Sequence, residues 1–225
     1  MLTQKNIVRI NVFLAICTVI GGLCYDTVSH NLITKSCASF GFFLLGLINL
    51  VYGFREQFAY RSFSVIMVIG LFTGMVADVI LEINFMLGAL VFALGHIFFI
   101  VAYSRILPFR IRDFIPGLFL FALVASLVLF LPIFDFGGNI MQIVCVVYAG
   151  IIGIMCGKAL SNYNRLTGSL TKALVIGSFL FLLSDVALLF SNFAHVPDII
   201  GSVCVNSYYP AQIILAHALL HTKNG

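Results

Sequence analysis

The feature that most constrains this chain is the recurrence of apolar runs about twenty residues long. Eight can be counted, at about 6–25, 36–54, 62–82, 85–104, 114–133, 139–160, 170–192 and 199–221. A bilayer's hydrocarbon core takes about 20 residues of α-helix to cross. Lipid offers no hydrogen bonds, so only helices and closed barrels satisfy the backbone inside it. Unbroken apolar runs exclude the alternating strands of a barrel. The sequence therefore predicts an all-α fold, a polytopic transmembrane bundle of eight helices. Only 9% of residues are charged, against about 25% in soluble domains. Nothing between the runs is long enough to fold separately, so residues 1–225 should form a single integral membrane domain.

The basic residues set the orientation, because cations collect in cytoplasmic loops. Lys5, Arg9, Arg55, Arg61, Arg105, Arg110, Arg112, Lys158, Arg165, Lys172 and Lys223 fall at one end of an eight-span bundle, and Lys35 alone falls at the other. Both termini should then be cytoplasmic. The net charge of +4 is spent on topology and is no nucleic-acid footprint. The first run lacks a small-residue cleavage site and reads as a membrane span. The short termini and lack of targeting signals point to a bacterial inner membrane. The six cysteines form no CxxC pair and read as small hydrophobes within the runs.

Against this background a few polar residues stand out. Asp78, Glu82 and His96 interrupt Gly74–Tyr103, and Ser184 and Asp185 interrupt Phe181–Phe193. An ionisable group inside a membrane segment is costly and marks a functional site. Gly70, Gly74, Asp78 and Glu82 recur every fourth residue, so they share one face. Gly88, Phe92, His96, Phe99 and Tyr103 form a stripe on the next run, and Tyr208 and Gln212 lie one turn apart on the last. At about 1.5 Å per residue, Asp78 lies roughly 7 Å and Asp185 roughly 12 Å from the end opposite the basic loops. Tyr148 and Tyr208 should lie somewhat deeper, roughly 14 Å in, with His96 nearer the midplane. These residues are expected to line one pocket, with His96 at its floor.

Residues 77–85 read ADVILEINF and residues 184–193 read SDVALLFSNF. Each lies on the third run of its half, which suggests a parallel four-plus-four repeat.

Two carboxylates across a cavity can divide the roles of acid and base. A zinc reading of His96 fails on its partners: His30, His195, His217 and His221 are placed towards the ends of their segments, while a catalytic zinc wants three protein ligands together. No metal and no other cofactor is expected.

At these same residues the chain resembles the YhhN family of integral membrane proteins, which includes lysoplasmalogenases. The resemblance rests on Ala77-Asp78, Phe85, Gly88 and Gly95-His96, on Tyr148 and Met155, on Phe181, Ser184-Asp185 and Phe193, and on Tyr208-Tyr209-Pro210-Ala211-Gln212. It covers roughly residues 65–220. Two positions depart from the family pattern: Ala77 stands where Gly is more frequent, and Phe99 where Tyr is common. The resemblance implies hydrolysis of a lysophospholipid's vinyl-ether bond, releasing a fatty aldehyde and a glycerophospho-headgroup. Asp78 and Asp185 would be catalytic, with Asp185 as acid on the expectation that it is the more desolvated. His96, Tyr148, Tyr208, Gln212, Glu82 and Ser184 would support them or bind substrate. The alternative reading is a proton-coupled transporter of a small molecule or lipid that uses the same Asp pair.

Overall fold

The computed structural model describes residues 3–28 and 30–224. Lys223, counted above among the cations of the basic end, has its side chain outside the described residues. Eight long helices follow one another: α1 (Gln4–Thr27), α2 (Leu32–Arg55), α3 (Arg61–Ile83), α4 (Phe85–Ile106), α5 (Phe114–Phe130), α6 (Asn139–Arg165), α7 (Ser169–Phe193) and α8 (Ile199–Ala218). Each is long and apolar enough to cross a membrane, α5 together with the short 3₁₀ turn Ile111–Asp113 before it, and α8 together with the 3₁₀ segment after it. The protein is a multi-pass membrane bundle, as the hydropathy predicts.

Local chemistry sets the helix ends. Thr3 caps α1 by accepting from the Asn6 amide, and Asn31 caps α2 by accepting from the Thr34 amide. Such caps satisfy donors that a helix start leaves orphaned. Asn84 serves twice: it ends α3, and its side chain accepts from the Leu87 amide to start α4. One residue between two spans forces a tight antiparallel hairpin. Gly88 makes that hairpin fit, because a Cβ there would lie 2.5 Å from the Leu81 Cα.

Consecutive helices pack on each other throughout the bundle, with one exception. α1 pairs with α2, α2 with α3, α3 with α4, α5 with α6, α6 with α7 and α7 with α8, while α4 makes no comparable contact with α5. Instead α4 packs on α6, and α8 closes the other side on α1 and α2. At the basic end, Asp113 ties α5 down. It accepts from Lys158 Nζ at 2.8 Å and Ser161 Oγ at 2.6 Å, and its side chain accepts from the Arg110 amide. Close by, Gly117 meets Gly153 and Gly157 backbone to backbone; a Cβ on Gly157 would sit 2.6 Å from the Gly117 nitrogen. At the opposite end, the loop after α5 is pinned to α7: the Asp135 amide donates to the Phe193 carbonyl at 2.7 Å.

The six cysteines are free. The Asp-Val motifs of α3 and α7 lie towards the same end of the bundle, the end that also carries Lys35.

Candidate functional site

α3 presents its glycine–carboxylate face to α4 and α8. A Cβ on Gly70 would strike the Phe99 ring at 2.6 Å, and one on Gly74 would meet Gln212 Nε2 at 2.8 Å. Small residues let neighbouring helices come this near. The close approach brings α8 within reach of Asp78, whose Oδ2 accepts from Tyr208 Oη at 2.7 Å and from Ser39 Oγ of α2. Gln212 Nε2 donates to Tyr208 Oη at 3.2 Å and holds the phenol in place. One turn beyond Asp78, Glu82 Oε1 accepts from Lys35 Nζ at 2.7 Å and from Tyr25 Oη at 2.6 Å. The lone cation of that end is thus matched to a carboxylate.

The second carboxylate sits in a matching nest. Asp185 Oδ2 accepts from Tyr148 Oη at 3.0 Å and lies 3.2 Å from His96 Nε2, which is itself 2.8 Å from Tyr148 Oη. His96 is fully enclosed, with Phe181 edge-on at a ring-centroid distance of 4.6 Å. Its Nδ1 is buried without a partner. A buried N–H without an acceptor is costly, so the proton of a neutral ring belongs on Nε2, between Asp185 and Tyr148. Phe99 packs against His96 and Phe181 as an apolar wall. Among the described residues, the hydrogen bonds of both carboxylates fall on Oδ2 and leave Oδ1 of each without one.

Asp78, Asp185, Ser184 and Tyr208 line one polar cavity of about 530 Å³, together with Lys35, Tyr25 and His30. Asp26 and Asp198 line the same space. A smaller apolar chamber of about 60 Å³ adjoins it between α4, α5, α6 and α7. The two spaces share Leu81, Phe92, Asp185 and Leu188 in their walls. Asp185 therefore stands on the border between a polar room and a dry one.

Two expectations need correction. The polar cavity does not gather every candidate: Tyr148 lines the apolar chamber, and His96 lines neither space, reaching the site only through its bonds to Tyr148 and Asp185. Asp185 is also not the more desolvated carboxylate. Asp78 is buried, whereas Asp185 is only partly buried. Position along the helix was the wrong guide, because enclosure comes from neighbours. α2 and α8 both close on Asp78, while Asp185 borders two openings. Gln212 acts through Tyr208, Glu82 acts through Lys35 and Tyr25, and Ser184 donates to the Cys204 carbonyl at 3.0 Å. Among the described residues, no three His, Cys, Asp or Glu groups gather as metal ligands.

Sequence reasoning missed Ser39 as a partner of Asp78 and Tyr25 as a partner of Glu82, and gave Lys35 no place in the site. One signal was present. Lys35 and Ser39 are one turn apart on α2, so the single cation of that end and the hydroxyl share a face.

The model of one family, the YhhN family, matches residues 36–219. That stretch contains Asp78, Asp185, His96, Tyr148, Tyr208, Gln212, Glu82 and Ser184, while Tyr25, Asp26, His30 and Lys35 of the cavity lining precede it. No curated protein and no solved structure matches the chain.

Proposed function

This chain belongs to the YhhN family, and we propose that it is an intramembrane hydrolase of lyso-ether phospholipids, cleaving a vinyl ether to a fatty aldehyde and a glycerophospho-headgroup. The observation that carries the reading is the pair of carboxylates on one polar cavity, each with Oδ2 fixed by a phenol and a second donor. Preorganised donors of this kind hold a catalytic group without reorganisation during reaction.

The chemistry needs an acid for carbon, a base for water and negative charge beside a cation. Asp185, on the chain side of the site, delivers the Oδ1 proton to the vinyl carbon nearer the hydrocarbon chain. That leaves an oxocarbenium ion on the carbon bonded to oxygen. Water adds there while Asp78 Oδ1 takes its proton, giving a hemiacetal. The hemiacetal hydroxyl then returns a proton to Asp185, Asp78 protonates the departing glycerol oxygen, and the C–O bond breaks. Aldehyde and alcohol leave, one water is consumed, and both carboxyls are restored. Asp185 keeps the acid role for its place beside the chain rather than for desolvation. Tyr148 and His96 orient it, and Tyr208, Ser39 and Gln212 orient Asp78.

Purified protein in detergent provides the test. A hydrolase releases aldehyde from a lysoplasmalogen without any sealed compartment. Absence of aldehyde release, together with proton-driven uptake in sealed vesicles, would replace this reading with a carrier using the same Asp pair.

A further inference from the structure

The apolar chamber has no part in the acid–base chemistry, yet it is built against it. Its walls are side chains such as Phe85 and Ala89 of α4, Val128 of α5, Val144 and Ala149 of α6 and Leu189 of α7. Asp185 is its only acidic lining residue, and it stands at the shared border with the polar cavity. Beyond the chamber, towards the end opposite the basic loops, Phe134 of the α5–α6 loop packs edge-on to Phe190 and Phe136 packs tilted against Phe193, roofing it. On its flank lies the seam between α4 and α5, the one pair of consecutive helices that do not pack together. Leu90 and Leu94 of α4 and Leu123 of α5 face outward, towards the lipid.

We propose that this chamber is the subsite for a single hydrocarbon chain, and that the chain enters sideways from the bilayer through the α4–α5 seam. The proposal rests on the hydrolase reading for the bond that reacts at Asp185, but not for the occupancy of the chamber. Three observations fix the occupant. The lining is apolar, the flank meets lipid, and the inner border is the carboxylate that would act on the atom where chain becomes headgroup. A free volume of about 60 Å³ is too small for a long hydrocarbon chain, so the chamber must widen to take one. The wall able to give is α5. It packs substantially on α6 alone among the long helices, is held at the basic end by Asp113 and Gly117, and is tied near the roof by a Gln142 Nε2 bond to the Val128 carbonyl. A narrow slot opened by one helix admits one chain. A second chain on the same glycerol has no room, which makes the chamber the element that selects lyso-lipids.

Cys145 lines the chamber and Cys204 lines the polar cavity, so the chain carries a reporter in each space. The probes are saturated alkyl lysophospholipids, which have no vinyl ether to cleave. Purified protein in nanodiscs is treated with N-ethylmaleimide, and each cysteine is followed by peptide mass spectrometry. A long alkyl chain should slow modification of Cys145 by about 10-fold or more, since each buried methylene adds a factor of about four in affinity. The butyl analogue should leave it unchanged. Ala89→Phe, on the α4 wall of the chamber, should abolish the protection and raise KM for a long-chain vinyl ether by about 10-fold, with a smaller rise for a butenyl analogue. Val144→Phe fills the same space from α6 and serves as the second variant. Unaltered Cys145 labelling in the presence of the long-chain probe would overturn the subsite. Chain-length-dependent protection without any aldehyde release from a vinyl ether would support the subsite and overturn the hydrolase reading alone.

Discussion

Asp78 and Asp185 each put one carboxyl oxygen into a phenol-centred nest, and the proposed reaction uses the other. Asparagine preserves the shape and the acceptor but cannot exchange a proton. Asp78→Asn and Asp185→Asn should each lower turnover by roughly 10²–10⁴-fold, the usual contribution of general acid–base groups. Both variants should remain folded, since an amide removes the cost of burying a charge. The double variant should lose far less than the product of the singles, because groups acting as one unit are not additive. Aldehyde release measured beside a thermal melt checks all three. A well-folded single variant with near-normal turnover would make that Asp structural. His96 acts one step back. Its one bonded nitrogen meets both Tyr148 and Asp185, so His96→Gln should cost less than either Asp change, with the loss read in kcat rather than KM.

At the scale of elements, the α3–α4 hairpin carries Asp78 on one arm and His96 on the other, joined by the single residue Asn84. Gly88 lets the arms close on backbone atoms that cannot yield. Gly88→Ala should destabilise by about 1–3 kcal/mol through overpacking and should depress turnover as well, because it spreads the two arms that hold the site. Melting temperature and kcat measured together separate this from a purely structural defect. The lock between α5 and α6 makes the opposite case. Lys158 and Asp113 are both enclosed and paired at 2.8 Å, far along the bundle from the carboxylates. Lys158→Met takes the nearest cation from a buried carboxylate that keeps Ser161 and the Arg110 amide as donors, so the cost should stay below the roughly 3–5 kcal/mol of a fully unpaired one. Arg165, 3.5 Å from Asp113, should limit the loss further. Thermal stability should fall while the turnover of the folded fraction stays close to normal.

The whole molecule has one basic end and one end where Lys35 is the only cation, and the polar cavity opens at the latter. Positive loops stay in the cytoplasm. Reporter fusions at both termini and in the 107–113 loop should therefore all report cytoplasm, and the cavity should face away from it. A non-cytoplasmic signal from either terminus would overturn this orientation. The proposed hydrolase reading would place a soluble headgroup and an insoluble chain in two adjoining spaces. The two spaces differ in polarity, and they meet at a carboxylate.

The sequence by itself determined the eight spans, their alternation, the charge asymmetry and which faces of α3, α4 and α8 turn inward. Lipid leaves no freedom in these matters: each backbone must be helical, and Asp78, Asp185 and His96 must turn away from hydrocarbon. Tertiary structure decided which inward faces meet. Nothing in the 3.6-residue period shows that Ser39 and Tyr208 belong to Asp78 while Tyr148 and His96 belong to Asp185, or that Tyr148 lines the dry chamber. Nor does it show that α4 skips α5 to pack on α6. Helix neighbours in a membrane are chosen by close packing of small residues, such as Gly74 against Gln212 and Gly117 against Gly153 and Gly157. That is a property of two surfaces at once. A single helix read alone carries only one of them.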